Sequence, residues 1–203
     1  MVREYNISDS LVFRKTKEQF GGLSNMASGY SLYVNEIIIP SAEHLYQAMR
    51  YSAYPEIQAE IISQDNAMKA KMVSNKYKET YSRKDWDQIQ VKVMRWVLEI
   101  KLAQNWNQFS ELLASTGDKN IVEYTPKYKF WGAVQSGNKL VGINALGRLL
   151  MELREKYIHA ADRLYCVDPL PISNFMLYGH PIGIICDDLI IDIVTYEDED
   201  FCC

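Results

Sequence analysis

The stretch from Ser82 to Asn105 constrains the fold most. Trp86, Ile89, Val93, Val97 and Ile100 recur there at three- and four-residue intervals, the period of one face of an α-helix. Ser82-x-x-Asp85 just ahead is a capping signature, so the spacing predicts a helix from Lys84 to about Asn105 whose stripe packs into a core. A helix of that length needs apolar partners, and the rest of the chain supplies them.

LVFRK (11–15) and SLYVNEIII (31–39) are β-branched and aromatic-rich, and read as two strands around the polar loop GGLSNMASG. Ser41 then caps a helix over AEHLYQAMRYSA (42–53), and helical segments continue through PEIQAEIIS and NAMKAKMVSNKY. Residues 106–123 read as one or two short helices broken at Thr116-Gly117, and 128–142 as a loop. A final helix, Ile143 to Tyr157, turns Leu146, Leu149, Leu150 and Leu153 inward; beyond Pro169 and Pro171, GIICDDLIIDIV is strand-like. The sum is a mainly helical α+β single domain with short N-terminal strands and a strand-containing C-terminal extension.

At 203 residues and 48% hydrophobic content the chain can bury one sizeable core. No run reaches the length of a membrane span and the start has no secretory apolar stretch, so the expected location is the cytoplasm, without membrane association. Cys166, Cys186, Cys202 and Cys203 lack paired CxxC spacing and are expected to be reduced thiols, with the last two a frayed pair. The net charge of -4 hides an asymmetry: from Leu164 onward there are eight acids and no Lys or Arg, so residues 1–163 carry 22 bases against 18 acids. A mildly basic body suits a phosphate-bearing ligand and is far from the basic stripe of a general DNA binder.

Three polar clusters lie beside apolar stripes. Glu43, Gln47 and Arg50 stand at i, i+4 and i+7, presenting a carboxylate, an amide and a guanidinium on one face; Glu43 is either a general acid/base or a complement to the helix dipole. Lys101 and Gln104 continue the line of Met94 and Val97, with Lys101 expected to snorkel at the helix end; Asp85 and Asp87 flank Trp86 at the other end. Phe130-Trp131-Gly132 is followed by GINALG (142–147), where Asn144 is a candidate cap, its helix a candidate phosphate or ribose site, and Gly147 a point of close approach. Spacing promotes neither Lys69 nor Lys71. His44, His159 and His180 share no metal-ligand spacing, so no metal and no other cofactor is expected.

In order along the chain stand F-x-x-L-S-N (20–25), S-A-E-H-L-Y-Q-A (41–48), A-K (70–71), R-x-D-W-D (83–87), V-M-R (93–95) and K-x-x-Q (101–104). T-G-D (116–118), V-E (122–123), F-W-G (130–132) and G-x-N-x-L-G-R-x-L-M-x-x-R (142–154) follow. In this order, over roughly Phe20 to Lys156, the chain resembles the NADAR family. That family includes YbiA-like N-glycosidases of riboflavin intermediates and antitoxins that remove ADP-ribose from guanine in DNA.

The resemblance implies a catalytic domain over 1–157, an acidic extension over 158–203, and hydrolysis of the bond between a phosphorylated ribose and a base. It implies Lys71, Glu43 and Asp87 as catalytic residues. Ser24, Asn25, Gln47, Trp86, Trp131, Gly132, Asn144 and Gly147 then contact the ligand, ADP-ribose or a ribose phosphate. Either Lys71, its pKa lowered by partial burial, attacks the anomeric carbon, or water attacks with Glu43 or Asp87 as base. The extension favours ADP-ribosylated guanine, in DNA or as a nucleotide, over the riboflavin intermediate, with a cognate ADP-ribosyltransferase toxin as a partner; a non-catalytic ADP-ribose-binding module is a third reading. The chain departs from the family pattern after F-W-G, where AVQSGNKLV stands, and after A-K, where Ser74, Asn75 and Lys76 stand.

Overall fold

A computed structural model describes residues 1–187. The predicted long helix is α4 (Trp86–Gln104), and its stripe is buried as expected. Around it lie α1 (Ala42–Ala48), α2 (Pro55–Ile62), α3 (Ala67–Tyr81), α5 (Trp106–Ala114) and α6 (Ala145–Leu153), the last continued by a π-helical turn over Arg154–His159. Pro55 starts α2, where its missing N–H costs nothing. Asn66 caps α3, its side-chain oxygen accepting the Lys69 N–H at 3.0 Å.

The expected cap of α4 is corrected. Asp85 makes a two-pronged pair with Arg83, at 2.7 and 3.0 Å, while the Ser82 hydroxyl donates back to the Lys78 carbonyl at the end of α3. Ser41 likewise does not cap α1: its hydroxyl bonds the Nδ1 of His44 at 2.8 Å, and the Nε2 of His44 meets the Gln64 carbonyl at 3.1 Å. A carbonyl only accepts, so Nε2 carries the hydrogen; burial, the larger effect, lowers the pKa of this imidazole.

Strands β1 (Arg3–Asn6) and β2 (Ser10–Phe13) open the chain. The single strand expected over 31–39 is a hairpin, β3 (Leu32–Val34) and β4 (Ile37–Ile39), because Asn35 and Glu36 both take positive φ, 50° and 64°, and close a two-residue turn between Val34 and Ile37. The helical reading of 106–123 fails after α5: Asn120–Glu123 form β5, which pairs in parallel with β2. Nor is 128–142 a loop throughout, since β6 (Val134–Ser136) and β7 (Lys139–Gly142) form a hairpin that β1 extends.

The described part of the extension carries β8 (Cys166–Val167), β9 (Met176–Leu177), β10 (His180–Pro181) and β11 (Ile185–Cys186). It shares the main core, where Phe175 meets Trp96 edge-on at 4.7 Å. The expectation of four reduced thiols is corrected for two of them: Cys166 and Cys186 lie opposite each other in the β8–β11 pair and form a disulfide, a neighbourhood made by strand pairing across 20 positions that no CxxC spacing reveals. Cys202, Cys203 and six of the eight late acids lie outside the described residues. Among the described residues no helix is long and apolar enough to cross a membrane.

Candidate functional site

Every residue of α1 is buried, including Glu43 and Gln47, so this short helix is covered on its polar face as well as its apolar one. Burying a carboxylate is costly unless its oxygens are hydrogen-bonded. Gln47 supplies the bond: its Nε2 donates to Glu43 Oε1 at 2.9 Å, while its own Oε1 accepts the Ser74 hydroxyl at 2.6 Å. The Tyr51 hydroxyl in turn lies 2.5 Å from the Ser74 carbonyl and donates to it. Ser74, where the chain departs from the family pattern, is thus a buried strut that orients Gln47. Asn25 fixes the main chain of Glu43 by accepting its N–H at 3.0 Å.

The loop carrying Ser24 and Asn25 is fastened from below by Lys101. This lysine does not snorkel: it is wholly buried, donates to the carbonyls of Gly22 at 2.5 Å and Ser24 at 3.1 Å, and stands 4.3 Å from the ring centres of both Tyr30 and Phe109. Burial pulls its pKa down to about 7. The Ser24 hydroxyl accepts the Met26 N–H at 3.2 Å, closing the same turn.

Opposite Glu43 stands a carboxyl that the helical reading of 106–123 concealed. Glu123 ends β5, and its pKa is pushed up to about 7 by burial and by the Glu43 carboxylate, with the Lys71 ammonium pulling the other way. Glu123 therefore lies within electrostatic reach of both sequence-derived candidates. Asn144 holds its backbone: the side-chain oxygen accepts the Glu123 N–H at 3.1 Å and the amide donates to the Ile121 carbonyl at 2.8 Å. The expectation that Asn144 caps α6 is corrected, since this left-handed residue (φ 51°) spends its side chain on β5 and is wholly buried. Gly147 and Gly132 belong to the same seam. A Cβ at Gly147 would stand 2.1 Å from the Ile121 carbonyl oxygen, and one at Gly132 2.4 Å from that of Glu123, so both glycines let β5 be approached closely. These three residues act on the site by positioning Glu123.

Tyr46 lies within electrostatic reach of Glu43 and belongs to an aromatic cluster. Tyr46 packs against Trp86 at 5.2 Å and edge-on to Trp131 at 5.6 Å, and the Arg50 guanidinium lies 4.8 Å from the centre of Trp86. Burial, more than any charge, raises the pKa of Tyr46. Asn25 Oδ1, Tyr46 Oη, Arg50 Nε and Trp86 Nε1 are buried with no hydrogen-bond partner among the described residues.

Lys71 and Asp87 sit further out. Lys71 is exposed on α3, so the partial burial expected of it is absent, and Asp87 is exposed on the first turn of α4, 3.5 Å from the Gln90 amide. Lys69 is occupied by Asp65 at 2.8 Å. Among the described residues no three His, Cys, Asp or Glu side chains converge on a metal position.

The α+β core thus buries one carboxylate against an amide, brings a second carboxyl within its electrostatic reach and sets an aromatic cluster beside them. Residues 12–157 match the NADAR domain, and the chain belongs to the NADAR family. It is 31% identical to N-glycosidase YbiA of Escherichia coli (strain K12), over 75% of this chain and 92% of that protein. It is 34% identical to a riboflavin biosynthesis protein of Vibrio vulnificus (strain YJ016), over 88% of this chain but only 48% of that longer protein. The NMR structure of E. coli YbiA superposes with a TM-score of 0.64 at 28% identity, covering 77% of this chain and 90% of the other. The chain is thus a member of a family of N-glycosidases.

Proposed function

We propose that this chain hydrolyses the N-glycosidic bond of ADP-ribosylated guanine, releasing ADP-ribose. The observation that carries the reading is the unlike carboxyl pair: Glu43 receives the Gln47 amide, while Glu123 is pushed up to about 7 and holds a proton over much of the neutral range. Two carboxyl groups with environments this different divide acid and base work between them. In this scheme Glu123 gives its proton to the departing guanine nitrogen as the bond to the anomeric carbon breaks. Glu43 takes a proton from the nucleophile, either Lys71 or water. With Lys71, its Nζ bonds to the anomeric carbon, the sugar opens to an imine, and water then frees the lysine. In this reading the cluster of Tyr46, Trp86, Trp131 and Arg50 supplies flat surface and a cation for a nucleobase and a diphosphate.

A second reading starts from the relatives, one named a riboflavin biosynthesis protein and another an N-glycosidase: we propose from the two together a phosphorylated ribosylaminopyrimidine as the alternative substrate. Incubating the protein with ADP-ribosylated guanine nucleotide and, in parallel, with that pyrimidine decides between them. Released ADP-ribose supports the first, release from the pyrimidine alone replaces it with the second, and binding without turnover reassigns the chain as a non-catalytic module. Borohydride added during turnover traps the imine if Lys71 is the nucleophile; full activity in Lys71→Ala leaves water as the attacker.

A further inference from the structure

The loop over residues 125–131 is held firmly at its backbone. The Thr125 hydroxyl oxygen accepts the Tyr128 N–H at 3.2 Å, and the carbonyls of Lys129, Phe130 and Trp131 accept N–H groups of Ile143, Ala145 and Leu146 at 2.6, 2.9 and 3.0 Å. The side chains on this fixed backbone nonetheless point outward. Lys127, Tyr128, Lys129 and Phe130 are consecutive exposed residues, with Tyr128 75% exposed and Phe130 38%. Large aromatic surface left in water on an ordered loop marks a contact surface. Phe130 meets Trp131 edge-on at 5.0 Å, and Trp131 meets Tyr46, so Phe130 continues outward the aromatic cluster that lies beside Glu43.

Along the chain on either side of these rings the charge has one sign. From Tyr124 to Met151 there is no Asp or Glu, while Lys127, Lys129, Lys139 and Arg148 are basic. Lys139 is paired with Glu4 at 2.7 Å; among the described residues Lys127 and Lys129 form no ion pair. Aromatic faces alternating with free ammonium groups match a single strand of nucleic acid, whose unstacked bases sit on rings while its phosphates meet cations. A duplex hides those base faces, and an acidic peptide has nothing to lay on the rings.

We infer that residues 127–130 bind single-stranded polynucleotide flanking the reacting nucleotide, with bases on Tyr128 and Phe130 and phosphates on Lys127 and Lys129. Placing the modified guanine within a strand rests on the function proposed above; strand binding itself does not. Fluorescence anisotropy of the full chain with a labelled, unmodified single strand of about twelve nucleotides tests it. Binding is expected to tighten at low salt and to exceed that of the matching duplex. Tyr128→Ala with Phe130→Ala should weaken it at least about tenfold. Lys127→Ala with Lys129→Ala should make the logarithmic salt slope shallower by about 1.4. No binding at low salt, equal binding of duplex, or full retention by the aromatic double variant overturns the inference. Displacement of the strand by polyglutamate as readily as by unlabelled strand also overturns it and assigns the surface to acidic proteins. On modified substrates, the aromatic double variant should lose about tenfold more in kcat/KM on a strand than on the free nucleotide. Strand binding with no turnover of any substrate removes the proposed activity and leaves this surface standing.

Discussion

Gln47 holds the Glu43 carboxylate at 2.9 Å from one end of its amide while the other end accepts the Ser74 hydroxyl at 2.6 Å. The hydroxyl fixes which end of the amide faces the acid: with oxygen bound to Ser74, only nitrogen is left for Glu43. Gln47→Leu removes the donor and leaves a buried carboxylate short of a partner. We expect kcat to fall about 10- to 100-fold, the rate equivalent of one charge-assisted hydrogen bond of about 1.5–3 kcal/mol. Ser74→Ala should cost less, because the amide still reaches Glu43 once its orientation is loosened. Steady-state kinetics of both variants checks the order; equal activity of Gln47→Leu and wild type removes Glu43 from the chemistry.

Glu123 predicts the pH dependence. Its carboxyl is raised to about 7, so it carries the proton needed for the leaving base below that pH and loses it above. The limb of kcat/KM governed by this group should therefore fall as pH rises through about 7. Glu123→Gln keeps the shape, cannot donate an acidic proton, and should lower kcat by roughly 10²–10⁴-fold while flattening that limb. A pH profile of the variant that keeps the wild-type fall assigns the limb to another group.

Asn144 ties β5 to the start of α6 with two hydrogen bonds from one amide, to Glu123 and Ile121. Asn144→Ala leaves a buried N–H and a buried carbonyl without partners, at about 1–3 kcal/mol each, and puts alanine in a left-handed conformation at about 1 kcal/mol more. Asn144→Gly escapes only the last cost. Urea unfolding should rank wild type above Asn144→Gly above Asn144→Ala; identical midpoints for the two variants would remove the backbone contribution.

The helical core was legible because periodicity reports burial directly: α4 and α6 turn inward the faces their apolar residues mark. β5 was not, since Ile121 and Val122 form too short an apolar run to separate a strand from a helix end, and the parallel ladder with β2 that decides it joins residues about 110 positions apart. Glu123 stood in the V-E motif, but without β5 nothing placed it within reach of Glu43. Glu43 and Gln47 could be read from their i, i+4 spacing, but the hydrogen bond that Ser74 gives Gln47 crosses from α3 to α1 and no local pattern announces it. Asn144 and Gly147 drew notice for residue type, and their role emerged only when β5 was found against α6.

Lys101 supplies a test of the frame beneath the site. Its folded pKa of about 7 lies below the ordinary 10.5, so between those values the unfolded chain binds the extra proton and stability rises with pH. Glu123 acts oppositely: with a raised folded pKa it adds stability that is complete below the ordinary 4.5, lost as pH rises to about 7, and level above. The interval from pH 7 to about 9 therefore isolates the lysine, clear of tyrosine ionisation. Across it, wild-type unfolding free energy should climb relative to Lys101→Met by up to about 1.4 kcal/mol per pH unit. Two parallel curves would mean that Lys101 does not change its charge on folding. Because the amine holds the carbonyls of Gly22 and Ser24, Lys101→Met should also loosen the turn that carries Asn25 and raise KM, whereas Lys101→Arg, too large for the space beside Tyr30 and Phe109, should not restore it.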